Sequence, residues 1–103
     1  MGRSERAIKE LVEKGETIMK AFGNSMLPIL RSGSTLRFKR CDSYKKGDIV
    51  FCRVRGRIID AHRIIKTDPK KGHLIANQRG YENGWTNTIY GKVVEVVKQG
   101  KKK

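Results

Sequence analysis

Ser25 is the side chain in this sequence that is best placed to act as a nucleophile. Residues 23–28 read Gly-Asn-Ser-Met-Leu-Pro, so the serine follows a glycine that permits a turn and precedes a proline that fixes the backbone. Such a segment presents a hydroxyl stiffly, and a nucleophile needs this because a misplacement of about 1 Å can cost two orders of magnitude in rate. An ordinary loop has the same composition, so the segment alone predicts no activity.

His62 is the candidate general base. An unperturbed imidazole titrates near pH 6.5, so a mostly neutral base is available at pH 7 without the strong desolvation that a lysine base needs. Taken alone, a histidine in a β-rich stretch is more often a half-buried structural residue. His73, in a Lys-Gly-His turn, is predicted to lie at the surface without a functional role.

Four short motifs follow one another along the chain. They are the serine segment at 23–28, Gly-Asp-Ile-Val at 47–50, His-Arg-Ile-Ile at 62–65 and Ile-Tyr-Gly-Lys-Val-Val at 89–94. Over residues 22–97 this ordered set resembles the superfamily that joins signal peptidases with LexA-type self-cleaving repressors. Bacterial signal peptidases and LexA-like proteins have lysine where this chain has His62. Archaeal and eukaryotic-type signal peptidases have histidine there, so the sequence looks like that branch.

The resemblance implies a serine peptidase with a Ser-His dyad and without a cofactor or metal ion. Ser25 falls on the nucleophile of the superfamily and His62 on its general base. In such an enzyme Ser25 Oγ attacks a carbonyl carbon, His62 accepts the proton, and the backbone N–H of Ser25 helps to bind the oxyanion. Met26 and Pro28 fall at substrate-binding positions.

The group that would orient the imidazole is not evident from the sequence. The His-type branch carries an acidic residue in a Gly-Asp-Asn-like segment before the last strand, whereas residues 76–84 of this chain contain no aspartate. Asp60, Glu82 and Asn83 are the candidates. Asp60 lies two residues from His62 and therefore on the same face of a regular strand.

We expect the substrate to be a peptide or protein cleaved in trans. About 22 residues precede the serine segment, too few for a helix-turn-helix domain, and they contain no Ala-Gly pair for LexA-type self-cleavage. The longest unbroken apolar run is 49–52, which predicts no signal peptide or membrane anchor and favours a soluble, cytoplasmic protein. The sequence leaves the oligomeric state open.

The charge of the chain supports a rival function. A net charge of +14 attracts polyanions such as nucleic acid, although basicity also serves solubility alone. If the apolar positions of two predicted strands face inward, four cations project from the opposite faces: Arg37, Lys39, Arg53 and Arg55. We expect five more to extend that surface: Arg57, Lys45, Lys46, Lys70 and Lys71. The alternative is therefore a weak or inactive relative that binds nucleic acid or a protein through this basic face, with Tyr44, Tyr81 or Trp85 available for stacking.

The hydrophobic pattern predicts a mainly β fold with one N-terminal helix. Apolar residues recur at spacings of three, four and seven from Ser4 to Phe22, which indicates an amphipathic helix with a break allowed at Gly15. Period-two alternation and turn residues then predict five or six strands in a small barrel or curled sheet. We divide the chain into a helix packed on the core at 1–22, a peptidase-like β domain at 23–97 and a basic tail at 98–103. Cys41 and Cys52 are predicted to be reduced.

Overall fold

The computed structural model describes residues 2–21 and 33–99, which form one helix and seven strands. The elements in chain order are α1 (Arg3–Lys14), β1 (Glu16–Ala21), β2 (Ser34–Lys39), β3 (Ile49–Val54), β4 (Arg57–Asp68), β5 (Gly72–Ala76), β6 (Glu82–Thr86) and β7 (Ile89–Lys98). The mainly β architecture with a single N-terminal helix is confirmed. α1 has 12 residues and is too short and polar to span a bilayer, and the described ranges contain no other helix.

The helix is shorter than the sequence pattern predicted. It ends at Gly15, which has φ 82° and donates its backbone N–H to Leu11 O. Residues 16–21 form β1, where Thr17 and Met19 are buried and their neighbours are exposed or half-buried. The prediction of a helix over 4–22 was therefore wrong for 16–21. Ile18 and Met19 fit a 3.6-residue period by coincidence, and the left-handed glycine ends the helix before it reaches them.

All seven strands belong to one antiparallel sheet with the order β1-β2-β7-β3-β4-β5-β6. The sheet curls into a half-barrel, and α1 packs on it through Ala7 and Leu11, in one apolar cluster with Phe38 and Phe51. The last strand of the chain, β7, lies third in this order and pairs with both β2 and β3. The helix and the seven strands therefore form one folded unit.

Strand β3 is buried on both faces. Phe51 belongs to the cluster under α1, whereas Val50, Cys52 and Val54 form a second cluster with Ile64 and Ile75. Side chains alternate along a strand, so neither face of β3 meets solvent along its centre. Burial in the second cluster raises the pKa of the Cys52 thiol to about 12, which makes this cysteine an unreactive core residue.

Candidate active site

His62 lies in the middle of β4, half-buried and opposite Val50 of β3. The pairing of these strands is irregular, because Val50 faces His62 but Cys52 faces Ile59. Three steps along β4 therefore match two steps along β3, and β4 carries an extra residue just before His62. Such bulges bend a strand and re-aim its side chains.

His62 also lies one position beyond the end of its other neighbour. β5 ends at Ala76, which pairs with Arg63. No β5 residue therefore stands beside His62 in the ladder, and the ring has access to the next strand, β6. This arrangement follows from the β5–β6 connection, which begins immediately after Ala76.

Asn83 of β6 reaches the imidazole through a second bulge. Ile75 pairs with Gly84 and Ala76 pairs with Glu82, so Asn83 is the extra residue in β6. Its Oδ1 atom lies 2.7 Å from His62 Nδ1. Gly84 makes the bulge possible, because its φ of 132° is open to glycine and a Cβ there would lie 3.1 Å from Val54 Cγ1.

The hydrogen bond to Asn83 selects one tautomer of the ring. An amide oxygen accepts, so His62 Nδ1 carries the hydrogen and the lone pair resides on Nε2. Burial lowers the pKa of His62, and the Asn83 hydrogen bond and the charge of Asp60 oppose this only partly. The ring is consequently neutral at pH 7, with a fixed orientation and a basic Nε2, as a general base requires.

The connection that leads to Asn83 is itself braced by two residues that the sequence analysis did not assign. Asn77 Oδ1 accepts the backbone N–H groups of Arg79 and Tyr81, which closes the turn after β5. Arg63, the neighbour of His62, donates from Nε to Asn77 O at 3.3 Å. An Asn followed three residues later by Gly is a turn signal, but the arginine contact depends on strand pairing and has no local signature.

The three candidates for an orienting group occupy different positions. Asn83 bonds the ring, Glu82 is exposed at the start of β6, and Asp60 Oδ1 accepts a hydrogen bond from Ser4 Oγ of α1 at 3.5 Å. The extra residue in β4 breaks the regular alternation that would have placed Asp60 on the face of His62. Asp60 still raises the pKa of His62 through its charge.

Ser25, Met26 and Pro28 lie outside the described residues, so their predicted roles stay predictions. The described chain stops at Ala21 and resumes at Gly33, whose N–H donates to Ala21 O at 2.7 Å. Both ends of the serine-bearing connection are therefore held together. Ala21 packs against the cluster that contains Ala61, the residue before His62.

Five of the cations that were predicted to form a basic face lie in different parts of the sheet. Arg37 lies between two carboxylates, with Nε 2.8 Å from Glu95 and Nη1 3.2 Å from Glu16. Arg53 is held by Tyr90 Oη and Gly56 O. Arg55 and Arg57 are exposed in and beside the β3–β4 turn, and Lys39 is exposed at the end of β2. These five cations are spread over strands on both sides of β7, and the charge of Arg37 is neutralised locally.

Metal chemistry has no support among residues 2–21 and 33–99, where no three His, Cys, Asp or Glu side chains group closely enough to hold an ion. Cys41 is half-buried, with its Sγ 3.7 Å from Lys39 O, and Cys52 is in the core. His73, half-buried on β5, has Nδ1 3.2 Å from Thr67 Oγ1.

Comparison with known families identifies one match. The sequence profile described as Peptidase S24-like matches residues 3–94, which include α1, six of the seven strands and most of β7. No curated protein matches the chain significantly.

Proposed function

This chain is a member of the Peptidase S24-like family, within the LexA and signal-peptidase superfamily, and on that premise we propose that it is a serine peptidase. Ser25 is the nucleophile and His62 the general base of this proposal, with Asn83 as the residue that positions the ring. The observation that carries it is the 2.7 Å hydrogen bond between His62 Nδ1 and Asn83 Oδ1. It leaves the basic nitrogen, Nε2, as the atom that takes up a proton.

In the proposed reaction Ser25 Oγ attacks the carbonyl carbon of a peptide bond while Nε2 of His62 takes the hydroxyl proton. The backbone N–H of Ser25 donates to the resulting oxyanion. The tetrahedral species collapses when Nε2 returns the proton to the leaving amine, which yields an ester between Ser25 and the acyl half of the substrate. Water then attacks this ester with His62 again as base, and the serine is released.

Asn83 stabilises the imidazolium that forms in each step, since its Oδ1 continues to accept from Nδ1. Asparagine fills the same role in Cys-His-Asn proteases. A neutral amide stabilises the cation less than an aspartate does, so we expect a slower enzyme than one with a Ser-His-Asp triad. The charge of Asp60 adds a weaker contribution of the same sign.

The finer features of the proposal rest on the motif resemblance. Histidine in place of lysine at position 62 favours the archaeal and eukaryotic-type branch of the signal peptidases. The substrate class is a peptide cleaved in trans, with Met26 and Pro28 lining the site. The neutral ring fits this assignment, because a histidine base with a lowered pKa is already deprotonated at pH 7.

A peptide library derived from a digested proteome tests the proposal without a known substrate. The full chain is incubated with the library, and new peptide N-termini are identified by mass spectrometry. Ser25→Ala and His62→Ala should each abolish them, whereas the matched controls Ser43→Ala and His73→Ala should retain them. Cleavage at unchanged sites by Ser25→Ala would refute the assignment of the nucleophile, provided that circular dichroism shows all four variants folded.

A further inference from the structure

Five exposed lysines lie toward one end of the sheet, three in or beside the turn between β4 and β5 and two in the connection between β2 and β3. We call this set the lysine tip: Lys45, Lys46, Lys66, Lys70 and Lys71. The turn that carries the first two docks on β4, where Gly47 N donates to Ile64 O and Ile64 N to Asp48 O. The rings of Tyr44 and His73, 6.5 Å apart between centroids, hold the same turn against β5.

The positive charge of the lysine tip is not neutralised by ion pairs. Within the described ranges no carboxylate lies within 4.0 Å of any of the five ammonium groups. Two aspartates lie there, and both bind backbone: Asp48 Oδ2 accepts from Lys45 N, and Asp68 Oδ1 accepts from the N–H groups of Lys70 and Lys71. These N–H contacts lower the pKa of Asp68. Arg37 differs from these lysines, because two carboxylates form ion pairs with its guanidinium.

An aromatic ring lies next to Lys71 of the lysine tip. Lys66, Leu74 and Trp85 are paired across β4, β5 and β6, so they form one row on one face of the sheet. Lys71 Nζ lies 5.4 Å from the centroid of the Trp85 ring, which is half-buried. The Lys71 ammonium group is thus close enough to the indole for one nucleotide to contact both, and Lys66 lies two strands away in the same row.

We propose that the lysine tip and Trp85 bind single-stranded nucleic acid. The ammonium groups contact phosphates, and the indole stacks on a base, as in proteins that bind single strands without sequence preference. A single strand is favoured over a duplex because a duplex hides the faces of its bases. The partner can be RNA or DNA, since both present the same charge and the same π-faces. The lysine tip and Trp85 share no residue with the proposed dyad.

Trp85 provides a direct readout, because it is the one tryptophan in the sequence. The full chain is titrated with the oligonucleotides rU20 and dT20 while the Trp85 fluorescence is followed at several salt concentrations. We expect saturable quenching, with an affinity that falls by about 0.7 log units per phosphate contact for each log unit of salt. The two arms show whether RNA or DNA is the better ligand.

Two pairs of substitutions with the same charge change locate the binding surface. Lys66→Glu with Lys71→Glu should weaken binding at least tenfold and flatten the salt slope by about 1.4, as expected for two lost phosphate contacts. Lys9→Glu with Lys14→Glu, two exposed lysines of α1, should weaken it far less. The anisotropy of a labelled oligonucleotide gives the affinity independently of Trp85. If both pairs of substitutions weakened oligonucleotide binding equally, the lysine tip would not be the binding site.

A second set of measurements separates stacking from charge. Trp85→Ala should weaken binding by about 5- to 150-fold, and Trp85→Phe, which keeps a ring and serves if the alanine variant does not fold, should weaken it less. Ser25→Ala should bind like the parent. The proposal fails if no saturable quenching occurs, or if poly-glutamate at equal charge competes as well as the oligonucleotides, since the tip would then be a site for acidic proteins.

Discussion

Asn83 Oδ1 lies 2.7 Å from His62 Nδ1, although the two residues belong to strands that are separated by a third. The contact is made around the end of β5, where the pairing has stopped. Two bulges, one in β4 and one in β6, aim the two side chains at each other. The orientation of the imidazole is therefore a product of strand register.

Removing the amide of Asn83 should slow catalysis while leaving substrate binding largely intact. In Asn83→Ala the ring loses its acceptor, so kcat should fall at least tenfold, a part of the roughly 10²–10⁴-fold that a general base supplies. Asn83→Asp should retain activity and move the acid limb of the pH profile upward, because a carboxylate favours the imidazolium. Steady-state kinetics on a peptide from the library measures both, with Asn87→Ala as the control. A normal kcat in Asn83→Ala would exclude a positioning role.

The half-buried His62 should make the protein less stable in mild acid. Its folded pKa is below the ordinary value of 6.5, so the unfolded chain binds more protons in the interval between the two values, and stability rises with pH through that interval. The contribution is complete above about pH 6.5 and is lost as the pH falls through the folded pKa. Urea unfolding between pH 5 and 8 should show a smaller acid loss in His62→Gln. Parallel curves for the two proteins would contradict this.

Gly84→Ala should damage both stability and the site. Its φ of 132° is unfavourable for alanine, and the added Cβ would lie 3.1 Å from Val54 Cγ1, so the free energy of unfolding should fall by about 1–3 kcal/mol and the bulge that presents Asn83 should shift. Gly56→Ala is the control, because Gly56 has φ 80° but nothing within 4 Å of the new Cβ. It should lose some stability, by about 1–2 kcal/mol, and keep full peptidase activity. If both variants had equal peptidase activity, the bulge in β6 would not be needed for the reaction.

Leu11 should anchor α1 to the sheet. Its side chain is fully buried in the cluster with Phe38 and Phe51, so Leu11→Ala should lower the free energy of unfolding by about 2–5 kcal/mol. Val12, the next residue along the helix, is 58% exposed. Val12→Ala should therefore change the free energy of unfolding by less than about 0.5 kcal/mol. Urea titrations followed by Trp85 fluorescence measure both. A small effect of Leu11→Ala would mean that the helix contributes little to the core.

The sequence pattern predicted the fold class because period-two alternation marks β2 and β3 directly. It misassigned 16–21, since Ile18 and Met19 satisfy a helical spacing as well as a strand spacing, and only the conformation of Gly15 decides between them. The burial of Phe51 depends on α1, which packs over it and is distant in sequence. Asn83 was named with Asp60 and Glu82 and could not be separated from them, because that choice depends on two bulges, and bulges are set by pairing between strands distant in sequence.

The position of β7 between β2 and β3 has a consequence for the alignment of the proposed dyad. The β1–β2 hairpin carries the connection that contains Ser25, while β4 carries His62, and the ladder joins these two halves of the sheet through β7. The placement of Ser25 relative to His62 in the proposed enzyme therefore depends on β7. A side chain at Gly91, where a Cβ would lie 3.0 Å from Leu11 Cδ2 and 3.1 Å from Lys39 O, would press on α1 and β2 and should lower the proposed peptidase activity without touching either reacting side chain.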